Sequence, residues 1–135
     1  MRVMLDTNVL ASAVATRGLC ADVLRAVLAE HELAICPQII SELQRVLKDK
    51  FALPRPLVND FIRLLREEAI LCEPGNPPAI ELKDKGDLGI LSAAVGGEVN
   101  VIVTVDKEIQ MVRTVARVQI MSPRQFWQDL TEEAE

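Results

Sequence analysis

The chain has 135 residues, 50% of them hydrophobic, which is enough for a core and well above the size at which disulfides or metals must supply the stability. Its apolar runs are short and interrupted by charges, far from the ~18 to 20 residues of a membrane span, so no membrane segment is expected. Fifteen basic and 20 acidic residues leave a net charge of −5, unlike the strongly positive balance of a general nucleic-acid binder.

Residues 2 to 5, RVML, form the first strand-like run, without the basic region, long apolar stretch and cleavage site of a secretory leader, so the cytoplasm is the expected compartment. Helical spacing follows from Val9 to Ala15, and again in LCADVLRAVLAE, where Leu19, Val23, Leu24, Val27 and Leu28 recur at helix intervals. The lone His31 closes that helix and is assigned no role. ELAIC (32 to 36) is a second short strand, and Pro37 is suited to the first position of the next helix, PQIISELQRVLKDK. FALPRP breaks the pattern. PLVNDFIRLLREEA is then a helix expected to turn Leu57, Phe61, Leu64 and Leu65 to the core, with AILCEP as a strand behind it.

The polar, Pro-rich GNPPAIELKDKGD (75 to 87) is expected to be a loop or strand edge, and residues 88 to 96 a helix. NVIVTVD (100 to 106) is the clearest buried strand, apolar nearly throughout. DKEIQMVRTV follows as a short helix and RVQIM as a strand. In SPRQFWQDL, Ser122, Pro123 and Gln125 make a capping-box start to the last helix. Such alternation predicts a single α/β domain over residues 1 to 135, with a mostly parallel central sheet covered on both faces. Cys20, Cys36 and Cys72 are odd in number, widely spaced and without a CxxC pair, which fits reduced, mostly buried thiols.

In open parallel sheets, ligands bind beyond the carboxyl ends of the strands. Asp6 follows the first strand, Thr104 and Asp106 follow the clearest later one, and Asp84 and Asp87 precede or open a helix directed at the same sheet. Glu42 lies one turn inside the helix after the second strand. Carboxylates crowded together repel unless a cation neutralises them. A hard divalent ion such as Mg²⁺ takes oxygen ligands, keeps several waters and leaves positions open for a phosphate oxygen and an attacking water, so phosphodiester hydrolysis is a natural use of the set. Taken singly, each acid is better explained structurally: Asp6 and Asp106 as helix N-caps, Asp84 and Asp87 as cap or turn residues, and Glu42 as half of an i, i+3 pair with Arg45.

Together, LDTNVL, PQIISEL, DKGDLGILSAA and VIVTVDKEI resemble the PIN-domain family, and within it the toxin components of toxin–antitoxin pairs that include VapC-like ribonucleases. The resemblance runs from Arg2 to about Leu130. It implies a three-layer α/β/α sandwich and an endoribonuclease dependent on Mg²⁺ or Mn²⁺, with Asp6, Glu42, Asp87 and Asp106 as the acids that hold metal, Glu42 through water. Thr7 and Asn8 complete the DTN signature and are expected to orient Asp6, Thr104 helps hold the site, and Asp84 matches an additional acid. The resemblance further implies an RNA substrate, a cognate antitoxin and a homodimer. Arg45 and Lys48, close in sequence to Glu42, are candidates for meeting RNA phosphates, against the simpler reading of a solvated helix face. Cys36 stands where relatives carry a Ser or Thr that caps the helix.

Discounting the four candidate ligands brings the net charge close to neutrality, which weakens the electrostatic objection to an RNA substrate. With Phe51, Phe61 and Phe126 and no Tyr, base stacking should contribute little. A dehalogenase-type phosphatase would need a second Asp where Asn8 stands, a receiver domain its acidic pair and later Lys, and dinucleotide binding its GxGxxG. The remaining alternative is a PIN scaffold without turnover that binds RNA or a partner protein.

Overall fold

The computed structural model describes residues 1–75, 82 and 85–134. Asp84 and most of the Pro-rich segment expected to be a loop lie outside them. β1 (Arg2–Leu5) is followed by helices α1 (Thr7–Ala15) and α2 (Leu19–Glu30), β2 (Glu32–Ile35), α3 (Pro37–Asp49), α4 (Arg55–Glu68) and the short β3 (Ile70–Leu71). Then come α5 (Lys85–Gly96), β4 (Val101–Val103), α6 (Lys107–Val112), the hairpin β5 (Thr114–Val115) and β6 (Val118–Met121), and α7 (Pro123–Ala134). Among the described residues, no helix is long and apolar enough to cross a membrane.

The strands form one six-stranded sheet in the order β3-β2-β1-β4-β6-β5, parallel except for the β5–β6 pair. Val3, Met4 and Leu5 of β1 and Val103 of β4 have no exposed surface. That is why these strands read as unbroken apolar runs instead of alternating ones: both faces of a parallel sheet are covered. Connections run from β1 towards β3 on one side and return across β1 to β4 and β6 on the other. Because parallel crossovers are right-handed, the two directions place their helices on opposite faces, giving the three-layer α/β/α sandwich. α1 packs on α2 and α3, α3 on α4, and α2 on α7. One apolar cluster joins them, including Leu10, Ile39, Leu43, Leu47, Leu65 and Phe126.

Three helix starts follow from local chemistry. Asp6 is extended (φ −67°, ψ 164°) and caps α1, its carboxylate accepting from Thr7 N. Cys36 precedes Pro37 in an extended conformation and makes no side-chain cap bond, so proline geometry starts α3 without one. The Ser122 hydroxyl accepts from Gln125 N at 3.1 Å, as the capping-box spacing implies.

Three expectations need correction. The buried face of α4 is Val58, Phe61, Ile62 and Leu65, whereas Leu57 and Leu64 are 54% and 40% exposed. Both sets have helical spacing, and contact with α3 decides between them. The helix after Asp106 stops at Val112. Arg113 takes φ 62°, and Thr114 and Val115 pair antiparallel with β6 across a turn at Ala116 (φ 51°) and Arg117. That turn has neither Asn-Gly nor Asp-Gly, so the sequence carries no ordinary hairpin signal there. α5 also begins at Lys85, three residues before the apolar spacing becomes helical.

Candidate active site

Strand order reverses beside β1, because β2 and β4 flank it while their connections run in opposite directions. The crevice beyond the carboxyl ends of β1 and β4 is therefore the topological switch point of the sheet. Asp6 and Thr104 stand at its two lips. Asp6 N donates to Val103 O at 3.0 Å and Thr104 N to Met121 O at 2.9 Å, so each backbone is still held by the sheet ladder when its side chain enters the crevice.

Thr104 is fully buried and its hydroxyl joins two acids. It donates to Asp6 Oδ2 at 2.8 Å and accepts from Asp106 N at 3.0 Å. The Gln110 amide fixes the same residue from behind, donating to Thr104 O at 2.7 Å. Asp106 caps α6, its Oδ1 accepting from Ile109 N at 3.1 Å. The cap reading and the site reading are both satisfied at Asp6 and Asp106, since a carboxylate has two oxygens.

On the other side, Thr7 N donates to Asp6 Oδ1 at 2.8 Å, and the Thr7 hydroxyl donates to Glu42 Oε2 at 2.9 Å. Glu42 is half-buried and bonded to Thr7, and among the described residues it forms no ion pair with Arg45. Its other oxygen, Oε1, accepts from Gln38 Nε2 at 3.1 Å. The same nitrogen donates to Gly86 O at 2.8 Å, in the first turn of α5 next to Asp87. A continuous set of bonds thus runs from Asp106 through Thr104, Asp6, Thr7, Glu42 and Gln38 to the helix that carries Asp87.

Electrostatics agree with this geometry. Burial pushes the Asp6 carboxyl above its ordinary value of 3.8; the bonds from Thr104 and Thr7 pull it down, while the charges of Glu42 and Asp106 push it up again. An acid held against both burial and like charge is a functional-site signal. The donors are all oxygens, the chemistry that Mg²⁺ and Mn²⁺ prefer. Among the described residues, no three Asp, Glu, His or Cys side chains lie together closely enough to enclose an ion.

Asn8 is exposed on α1, and Asp6 takes its bonds from Thr7 and Thr104. Arg45 and Lys48 are exposed on α3, and Lys48 shares a groove between α3 and α4 with Arg55. All three cysteines are free thiols, with Cys36 and Cys72 buried. Gln38 and Gln110 were not singled out from the sequence. Gln38 was readable in principle, since it stands four residues before Glu42 and so on the same face of α3. Gln110 has no comparable signal.

The architecture is thus that of an open, mostly parallel α/β domain with Asp6, Thr104 and Asp106 linked at its switch point. Residues 2–108 match the PIN domain family model, and the chain belongs to the PIN domain family. No curated protein is significantly similar in sequence. Among solved structures, the fold is similar to that of VapBC2 from Rickettsia felis bound to a DNA fragment from their promoter, at 16% identity and TM-score 0.63 over 89% of this chain and 98% of that one. It is also similar to VapBC-1 from nontypeable Haemophilus influenzae, at 20% identity and TM-score 0.64 over 92% and 99%. At these identities the likeness is one of fold.

Proposed function

We propose that this chain is a metal-dependent endoribonuclease that hydrolyses RNA phosphodiester bonds, and that it is the toxin of a type II toxin–antitoxin pair. The observation that carries the chemistry is the Thr104 hydroxyl, bonded to Asp6 and to the backbone of Asp106 at the switch point. Membership in the PIN domain family and the likeness to two VapBC structures support the toxin reading.

In this reading Asp6, Asp87 and Asp106, with Glu42 through water, hold Mg²⁺ or Mn²⁺. When bound, such an ion would supply Lewis-acid activation of a water and charge neutralisation for phosphodiester hydrolysis. Thr104 and the Thr7 amide keep both Asp6 oxygens in fixed directions, so little reorganisation is needed at the moment of reaction. Thr7 and Gln38 do the same for Glu42. Arg45 and Lys48, on the outer face of the helix that bears Glu42, meet RNA phosphates and contribute salt-dependent affinity. A cytoplasmic homodimer and an antitoxin that occupies the crevice complete the proposal.

The test is cleavage of RNA by the purified protein with and without Mg²⁺ or Mn²⁺, repeated for Asp6→Asn and Asp87→Asn. Metal-dependent cleavage that falls at least a hundredfold in both variants is the expected result. If metal supports no cleavage, or the variants cut like the parent, the enzyme reading fails. Metal-independent RNA retention without cleavage would establish the scaffold alternative instead.

A further inference from the structure

The Gln38 amide sits where α3 meets α5. Its nitrogen has two hydrogens, and both are used: one on Glu42 Oε1 at 3.1 Å within α3, the other on Gly86 O at 2.8 Å in α5. Two acceptors on one nitrogen fix which way the amide faces, so its oxygen points the other way, towards Gly89. A Cβ built at Gly89 would stand 2.6 Å from Gln38 Oε1. Glycine in the middle of a helix costs about 1 kcal/mol relative to alanine, so its presence one turn inside α5 calls for a local reason. The seat of this amide supplies one.

We propose that Gln38 is a positioning residue of the candidate site. Its amide ties the Glu42 carboxylate to the first turn of α5, setting the register between the acid on α3 and Asp87 on α5, and Gly89 is the notch that admits it. The proposal rests on the reading of Glu42 and Asp87 as members of one nuclease site. It goes further by naming the residue that keeps acids from two separate helices in register and the glycine that residue requires.

Gln38→Glu keeps the size and shape but turns a double donor into an acceptor facing two acceptors, and Gln38→Ala removes the amide. Partners that hold a ligand in place typically change metal affinity or activity by about 10- to 100-fold when lost. Both variants should therefore lower kcat for RNA cleavage by that factor and weaken Mn²⁺ binding about tenfold, with KM for RNA within about twofold of the parent. Gly89→Ala should displace the amide and lower kcat similarly, while its melting temperature changes little because alanine's helix preference offsets the bonds lost. Gln38→Ala with Gly89→Ala should be no slower than Gln38→Ala alone, because the added methyl then meets no amide.

Multiplying losses in that double variant, or a Gly89→Ala enzyme as fast as the parent, would overturn the proposal. A second measurement needs no turnover: the melting-temperature losses of Gln38→Ala and Glu42→Ala should sum to more than the loss of the double variant. Strict additivity there also overturns the tie. A parent that neither binds Mn²⁺ nor cuts RNA removes the nuclease reading and the catalytic use of Gln38 together. An active parent whose Gln38 variants match it in kcat and Mn²⁺ affinity removes this proposal alone.

Discussion

Thr104 shows how much a single hydroxyl does at this site. Replacing it with valine keeps the volume but leaves Asp6 Oδ2 and Asp106 N without their shared partner in a buried place. The expected cost is about 1–3 kcal/mol of stability with at least a tenfold loss of activity, while Thr104→Ser retains most of both; urea unfolding and a cleavage assay check this. Asp6 behaves in the opposite sense. Its carboxyl is raised in the folded chain, chiefly by burial, so the folded state binds its proton more tightly than the unfolded state does. For the metal-free protein, this residue's contribution is most favourable below the ordinary value of 3.8 and is lost as pH rises through the raised one. Asp6→Asn removes this titration, so in EDTA its melting temperature relative to the parent should rise as pH goes from acid to neutral, whatever the offset from the altered hydrogen bonds. A difference that does not change with pH would contradict the account.

At the scale of elements, most helices and strands were legible because their apolar spacing and their caps point the same way. α3 is the clearest case, with Pro37 at its start and Ile39, Ile40, Leu43 and Leu47 buried at helical intervals. α4 marks the limit of periodicity: a wide apolar stripe contains two acceptable faces, and only packing against α3 selects the one with Val58 and Leu65. Leu65→Ala should cost about 2–5 kcal/mol, whereas Leu57→Ser or Leu64→Ser should stay within about 0.5 kcal/mol, measured by urea unfolding. Equal costs would restore the face first expected. The β5–β6 hairpin was not legible because each β5 residue gains its strand geometry from a partner and from backbone positions with positive φ, which no residue type there announces.

Over the whole molecule, chain order alone suggested that several acids fall near one end of the strands, but not which strands would be neighbours. The order β2-β1-β4 places Asp6 beside Thr104, 98 positions along the chain, and this adjacency joins the two helix caps Asp6 and Asp106 through one hydroxyl. The positions of Asp6 and Asp106 were legible because each follows a strand and opens a helix, whereas Glu42 and Asp87 lie inside α3 and α5. The Gln38–Glu42 bond follows from helical spacing, but the bonds of Gln38 and Gln110 to backbone carbonyls could not be read, since those carbonyls are positioned only by the fold. An ion bound to the folded state alone should also stabilise it. With Mn²⁺ about a hundredfold above its dissociation constant, the gain is about 2.7 kcal/mol, or a melting-temperature rise on the order of 10 °C.

Calorimetric titration of Mn²⁺ into the parent, Asp6→Asn and Asp106→Asn probes the central claim, a divalent-ion site at the switch point, most directly. Saturable binding to the parent, weakened at least tenfold in both variants, is the predicted result; equal affinity in all three proteins would contradict it.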